Sequence, residues 1–199
     1  MMKNKISYTN LVKEHVEQLL SNLPPQLYYH NLQHTREVVE ASLILAKGNH
    51  LSPTDTEIVT IAAWFHDVGH IQTYFDHEAV SAKLAREFLH TINYPSSNIE
   101  KIISCILATT FPSQPKNLLE MVICDADMFH LAQDFYESRC FALKEELEFI
   151  VEKSIPLEEW CCCNKDFLEK HIYFTPFAKE QFNHKKNENI QKFLVNHLL

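Results

Sequence analysis

The stretch Ser52-Pro53-Thr54-Asp55-Thr56-Glu57-Ile58-Val59-Thr60-Ile61-Ala62-Ala63-Trp64-Phe65-His66-Asp67-Val68-Gly69-His70 reads as a helix with both ends marked. Ser52 is suited to cap the first turn, and Pro53 at the first helical position lacks only an N–H that the helix would not use. Ile58, Ile61, Ala62 and Phe65 then recur at helical spacing, which predicts one apolar face. Gly69 is the expected stop. The helix therefore delivers His66-Asp67, an imidazole next to a carboxylate, at the end of an apolar run.

The same periodicity extends in both directions. Residues 5–22 predict a helix closed by Pro24-Pro25, and residues 31–47 predict a second that ends at Gly48 or Asn49. His34, Val38, Ala41 and Leu45 lie on one face of that second helix. Further helices are expected over 76–90, 96–109, 117–131, 134–153 and 157–170, with a last one opening at Pro176. The Phe111-Pro112-Ser113-Gln114-Pro115 stretch is a loop. No segment alternates apolar and polar residues as a half-buried strand would. Only 2 of 199 residues are glycine, which suits helices and argues against a glycine-rich phosphate cradle. The expectation is an all-α chain folded as one compact domain over 1–199. Its motif core would be 29–130, with C-terminal helices 132–199 packed on it.

The net charge of -8 disfavours nucleic-acid polymers and anionic membranes as partners. An anionic substrate would need a local offset, which a divalent cation supplies. The first residues, Met1-Met2-Lys3-Asn4-Lys5-Ile6, lack the apolar run of a signal peptide, so a cytoplasmic protein is expected. Cys105, Cys124, Cys140 and the run Cys161-Cys162-Cys163 are then free thiols. Three adjacent cysteines do not match the spaced pairs of a zinc loop. The oligomeric state has no sequence signature.

Three separate segments place metal-ligand types where burial would otherwise be costly. His34 lies on an apolar stripe, His66-Asp67 ends an apolar helix, and Asp125-Ala126-Asp127 follows Leu118, Leu119, Val122 and Ile123. One cation would satisfy all three, and a mixed imidazole–carboxylate set accepts Mn, Mg, Zn, Fe, Co or Ni.

The order His…His-Asp…Asp on a helical chain resembles the HD superfamily of metal-dependent phosphohydrolases. Tyr29-His30-Asn31-Leu32-Gln33-His34 is similar to the Tyr-His-Asn-x-x-His segment of part of that superfamily, cyclic-nucleotide phosphodiesterases included. His66-Asp67-Val68-Gly69-His70 resembles its His-Asp-x-Gly signature. The resemblance implies a single HD-type helical bundle with one divalent metal on His34, His66, Asp67 and an aspartate after an alanine, Asp127, with Asp125 as the alternative. It implies that His30 protonates the leaving group, that Asp67 also accepts a proton from water, and that His70 and His77 line the pocket. Thr109-Thr110 stands where members with two metals carry a further histidine. The implied activity is hydrolysis of a phosphoester in a nucleotide or related small anion. The alternatives are a 3',5'-cyclic-nucleotide phosphodiesterase, a ligand-sensing HD domain without catalysis, and a di-iron oxygenase. Lys83 and Arg86 read as solvated charges, and residues 132–199 carry no recognisable motif.

Overall fold

A computed structural model describes residues 7–197. Among the described residues nine α-helices run in order: α1 Tyr8–Leu20, α2 Leu32–Gly48, α3 Pro53–Phe65, α4 His77–Thr91, α5 Ser96–Ala108, α6 Leu118–Asp127, α7 Tyr136–Ile150, α8 Leu157–Lys170 and α9 Pro176–His197. Two 3-10 turns, Val68–Ile71 and Met128–Ala132, follow α3 and α6. There is no strand among the described residues. The all-α expectation holds. The expected first helix began at residue 5, and its opening residues lie outside the described part of the chain.

The central element is α3. Every residue from Ile58 to Phe65 is buried, so the helix is enclosed on all sides rather than on the one face its spacing suggests. Ser52 caps it, accepting from the Asp55 amide at 3.1 Å. Helices α2, α5 and α6 pack around α3, while α4 packs on α5 and on the turn after α3. One apolar cluster unites α1 to α6. A second joins α7, α8 and α9 through Tyr136, Cys140, Trp160, Leu168, Ile190 and Phe193.

Two expected helix ends shift, each for a local reason. The third helix ends at Phe65, not Gly69, and the chain continues as a 3-10 turn. The sixth ends at Asp127, and Met128 to Ala132 tighten likewise. Both shifts leave a metal-ligand type at the last turn, where its side chain is free to point off the helix. Gly48 is inside α2 and Asn49 is the cap, with Asn49 Nδ2 donating to the Leu45 carbonyl at 2.8 Å. Gly48 instead leaves room for α9, because a Cβ there would sit 2.4 Å from the Phe177 ring. Lys83 and Arg86 stay on the surface, paired with Glu87 and Glu100.

Candidate metal centre

The site begins with the cap of α2. Asn31 Oδ1 accepts from the amides of Gln33 and His34 at 2.9 and 3.2 Å. Its Nδ2 donates to the Tyr28 carbonyl at 2.7 Å. This cap fixes where α2 starts, and so places His34 in the first turn, facing inward.

His66 is oriented just as locally. Its Nδ1 lies 2.9 Å from the Ala63 carbonyl and must be the protonated nitrogen to donate there. Its Nε2 therefore carries a lone pair in the neutral ring. That nitrogen lies 3.1 Å from Asp67 Oδ2, 3.6 Å from Asp127 Oδ1 and 3.4 Å from His34 Nε2. His34 Nε2 in turn lies 3.3 Å from Asp67 Oδ2 and 3.2 Å from Asp127 Oδ1. Both rings are buried.

Such a cluster is unfavourable with no cation. Neutral imidazoles would turn lone pairs onto carboxylates, and two imidazolium rings would face each other. One divalent cation at the centre satisfies all four side chains, so the residues fit a metal. The electrostatics agree. Burial pushes the Asp67 carboxyl up, but His66, His34 and His77 together hold it well below the usual carboxylate range. Burial pushes His66 down, but Asp67 and Asp127 hold it well above its ordinary value.

A second set of ligand atoms shares Asp67. His30, Asp67 and His70 have ligating atoms within 4.8 Å of one another. His77 Nε2 lies 3.2 Å from Asp67 Oδ1. The His70 and His77 rings stack with centroids 3.8 Å apart, and neither ring nitrogen of His70 has a hydrogen-bond partner. Burial pushes His70 down to about 2, so it is a neutral ring with one nitrogen lone pair to offer. Gly69 makes this approach possible. A Cβ at that position would lie 2.0 Å from the His77 carbonyl, and the Gly69 amide donates to Ser81 Oγ at 2.7 Å. Thr109, at the place of the expected extra histidine, is buried and donates to the Ile106 carbonyl at 2.7 Å.

The two aspartates of α6 separate cleanly. Asp127 joins the histidines. Asp125 points away and grips the segment before α9, accepting from the Phe174 amide at 2.7 Å, the Thr175 amide at 2.8 Å and Thr175 Oγ1 at 2.7 Å.

The C-terminal helices contribute more than their sequence suggests. Glu146 of α7 is fully buried beside the first turn of the site. Its carboxylate pairs with His30 Nδ1 and accepts from the amides of Tyr29 and His30 at 2.7 and 3.0 Å and from the Tyr74 hydroxyl at 3.0 Å. Burial pushes the Glu146 carboxyl up, but His30 and those amides bring it below its ordinary value. Arg139, also of α7, pairs with Glu37 of α2 through Nε and Nη2. In the sequence Glu146 is one acid among several in Lys144-Glu145-Glu146-Leu147-Glu148, and only its burial singles it out. A cavity of about 340 Å³ opens over the cluster, touching His30, His77, Asp67 and Asp127 and reaching α7 and α8. All of His30, His34, His66, Asp67, His70, His77 and Asp127 are thus brought together.

The chain matches the HD domain family over residues 31–132. No curated protein matches it. Two solved structures share its fold over 98% of this chain and 96% of their own. One is described as a predicted HD superfamily hydrolase from an uncultured Thermotogales bacterium, with TM-score 0.68 and 18% identity. The other is a protein from Lactobacillus plantarum, with TM-score 0.71 and 16% identity. The family match covers half the chain and contains His34, His66, Asp67 and Asp127: the chain belongs to the HD domain family of metal-dependent hydrolases.

Proposed function

We propose that this chain is a phosphohydrolase that cleaves a phosphoester of a nucleotide or related small anion, with one divalent cation on His34, His66, Asp67 and Asp127. The observation that supports this best is His66 Nε2, turned onto two carboxylates and a second imidazole in a buried cluster. A bound cation supplies Lewis acidity toward a phosphoryl oxygen and lowers the pKa of water. Asp67 accepts the proton that water loses. His30 lines the cavity with Nδ1 held by Glu146, so its other nitrogen is the one free to protonate the departing oxygen. Glu146 is a positioning residue, because it reaches substrate only through His30. His70 and His77 line the site on the far side of Asp67. That second set of ligand atoms favours a second reading, in which Asp67 is shared between two cations.

Six free thiols, two of them exposed, fit a reducing compartment such as the cytoplasm. No described helix is long and apolar enough to cross a membrane.

The test is metal analysis of protein purified without added metal, followed by phosphate release from a nucleotide panel. The expected outcome is bound metal and hydrolysis in the wild type, with both lost in the His66→Ala/Asp67→Ala variant, hydrolysis by about a thousandfold. Absence of metal, with wild type and variant alike on every substrate, would sink the proposal. Cleavage of cyclic nucleotides but not of mononucleotides would identify a phosphodiesterase. Metal and ligand binding without turnover would identify a sensor.

A further inference from the structure

The cavity over the metal ligands does not close at them. It runs on into a recess between α7 and α8, and there it meets a second cavity of about 560 Å³. That second cavity lies between the Phe111-Pro112 loop, α8 and the segment before α9. Phe111, Met128 and Phe167 line both, so the two form one continuous trough with the metal ligands at one end. The Phe111 and Phe167 rings meet at the join, with centroids 6.1 Å apart and planes tilted by 55°.

The polar side chains along the trough are largely turned to one another. Tyr136 and Trp160 bury the hydroxyl and the indole N–H, so only carbon faces the cavity from them. Asn164 Oδ1 accepts from Cys140 at 3.3 Å, and its Nδ2 donates to the Trp160 carbonyl at 2.9 Å. Arg139 spends Nε and Nη2 on Glu37. Ser113 Oγ donates to the Thr109 carbonyl at 3.4 Å. Beyond the ring pair, Pro112, Ile172 and Phe174 continue the lining, and the charged Asp166 and Lys170 are exposed at the outer rim. Phe111 is 70% exposed and Ile172 65%. One apolar side chain on a surface is ordinary, but these two are walls of a cavity that leads to the metal ligands. An apolar ligand gains there in proportion to the area it covers. A ligand rich in hydroxyls and ring nitrogens would lose water and find few partners.

We propose that this trough is the subsite for the leaving half of the substrate, and that this half is an uncharged apolar group reaching the Phe111–Phe167 pair. Within the small anions proposed above, the trough selects phosphate esters of apolar alcohols over nucleotides. The assignment rests on the phosphohydrolase reading for the place of the phosphoryl group at the metal. Its test therefore uses phosphonates, which have no ester bond to cleave.

The experiment is calorimetric titration of the full manganese-loaded chain with methylphosphonate, octylphosphonate and the 5'-phosphonate analogue of adenosine monophosphate. Octylphosphonate is expected to bind at least about tenfold tighter than either of the others. Phe111→Ala should weaken octylphosphonate about three- to tenfold and change methylphosphonate less than about twofold. Phe167→Ala should act in the same direction. Leu43→Ser, at an exposed position of α2 outside both cavities, should leave all three affinities unchanged. Equal affinity for methyl- and octylphosphonate, tighter binding of the nucleoside phosphonate, no phosphonate binding, or an equal loss in Leu43→Ser would overturn the subsite. If Phe167→Ala does not fold, Phe111→Ala decides it, because that side chain is mostly exposed and supports little packing. Hydrolysis of phosphomonoesters with no dependence of binding on the apolar group removes the subsite and leaves the phosphohydrolase. Tight octylphosphonate binding with no hydrolysis of any phosphoester removes the phosphohydrolase and leaves the subsite.

Discussion

Residues 31–132 and residues 133–197 solve different problems. The first region holds His34, His66, Asp67 and Asp127, and contacts close in sequence aim them: the Asn31 cap for His34, the Ala63 carbonyl for His66, the end of α6 for Asp127. The second region holds none of them. It reaches the site from far along the chain, as when Glu146 meets His30 across 116 residues. The proposed metal cage can be written in short local motifs, because each of its side chains needs only a helix end or a neighbouring carbonyl. The orientation of an acid, and the shape of the recess beyond it, depend on how separate helices dock. That difference predicts that damage at the seam should spare the metal, while damage in the cage should abolish it.

The largest effect at the seam is expected at Asp125. Its carboxylate is fully buried and takes three hydrogen bonds from Phe174 and Thr175. Asp125→Ala leaves two amides and a hydroxyl without a partner, at a cost of about 3 kcal/mol or more. Asp125→Asn keeps one oxygen and should cost less. Urea unfolding monitored by circular dichroism measures the loss, and metal analysis of the folded fraction should still show wild-type content. A variant that keeps its stability and loses its metal would reverse the roles given to Asp125 and Asp127.

Glu146 should have a smaller and more selective effect. In Glu146→Gln the side chain keeps its size and loses its charge, so His30 is no longer held by a carboxylate. We expect kcat to fall about 10–100-fold, the range typical of partners that orient a reacting group, with KM and metal content unchanged. A matching rise in KM would mean that α7 had merely come loose. Tyr74→Phe, which removes one of the groups donating to Glu146, should have a lesser effect in the same direction.

How much of this the sequence discloses follows the same division. The helices are legible because caps, prolines and apolar spacing act locally, and the same spacing marks His34 and His66-Asp67, whereas His30, His70 and His77 come from the motif resemblance alone. Asp127 and Asp125 look alike in Asp125-Ala126-Asp127, and only the docking of Thr175 against α6 tells them apart. Gly69 reads as a helix stop, yet the structure uses it for the close approach of the His77 carbonyl, a contact no local pattern encodes. Residues 132–199, silent as sequence, supply Glu146 and the wall of Tyr136, Arg139 and Trp160. Nothing distinguishes their acids and aromatics from ordinary helix surface until the second apolar cluster buries them.

The smallest expected effect separates the two regions by acid rather than by mutation of the site. His171, at the end of α8, is pushed down to about 3, first by burial and then by Lys186 and His130. Lys186 Nζ donates to the His171 carbonyl at 2.6 Å and sits 3.5 Å from its Nδ1, so a protonated ring would meet an ammonium group. In the unfolded chain a histidine takes up a proton near pH 6.5. Between that pH and about 3 the unfolded state therefore binds a proton that the native state refuses, and stability rises with pH across the window. Acidification below pH 6.5 should therefore destabilise the fold through this residue. His171→Gln removes that contribution and leaves the carboxylates unchanged. Urea midpoints at pH 7 and pH 5 should show a shallower acid loss in the variant than in the wild type. Parallel losses would mean that His171 accepts its proton in the native state, and that the packing of α8 against α9 is looser than the Lys186 contacts imply.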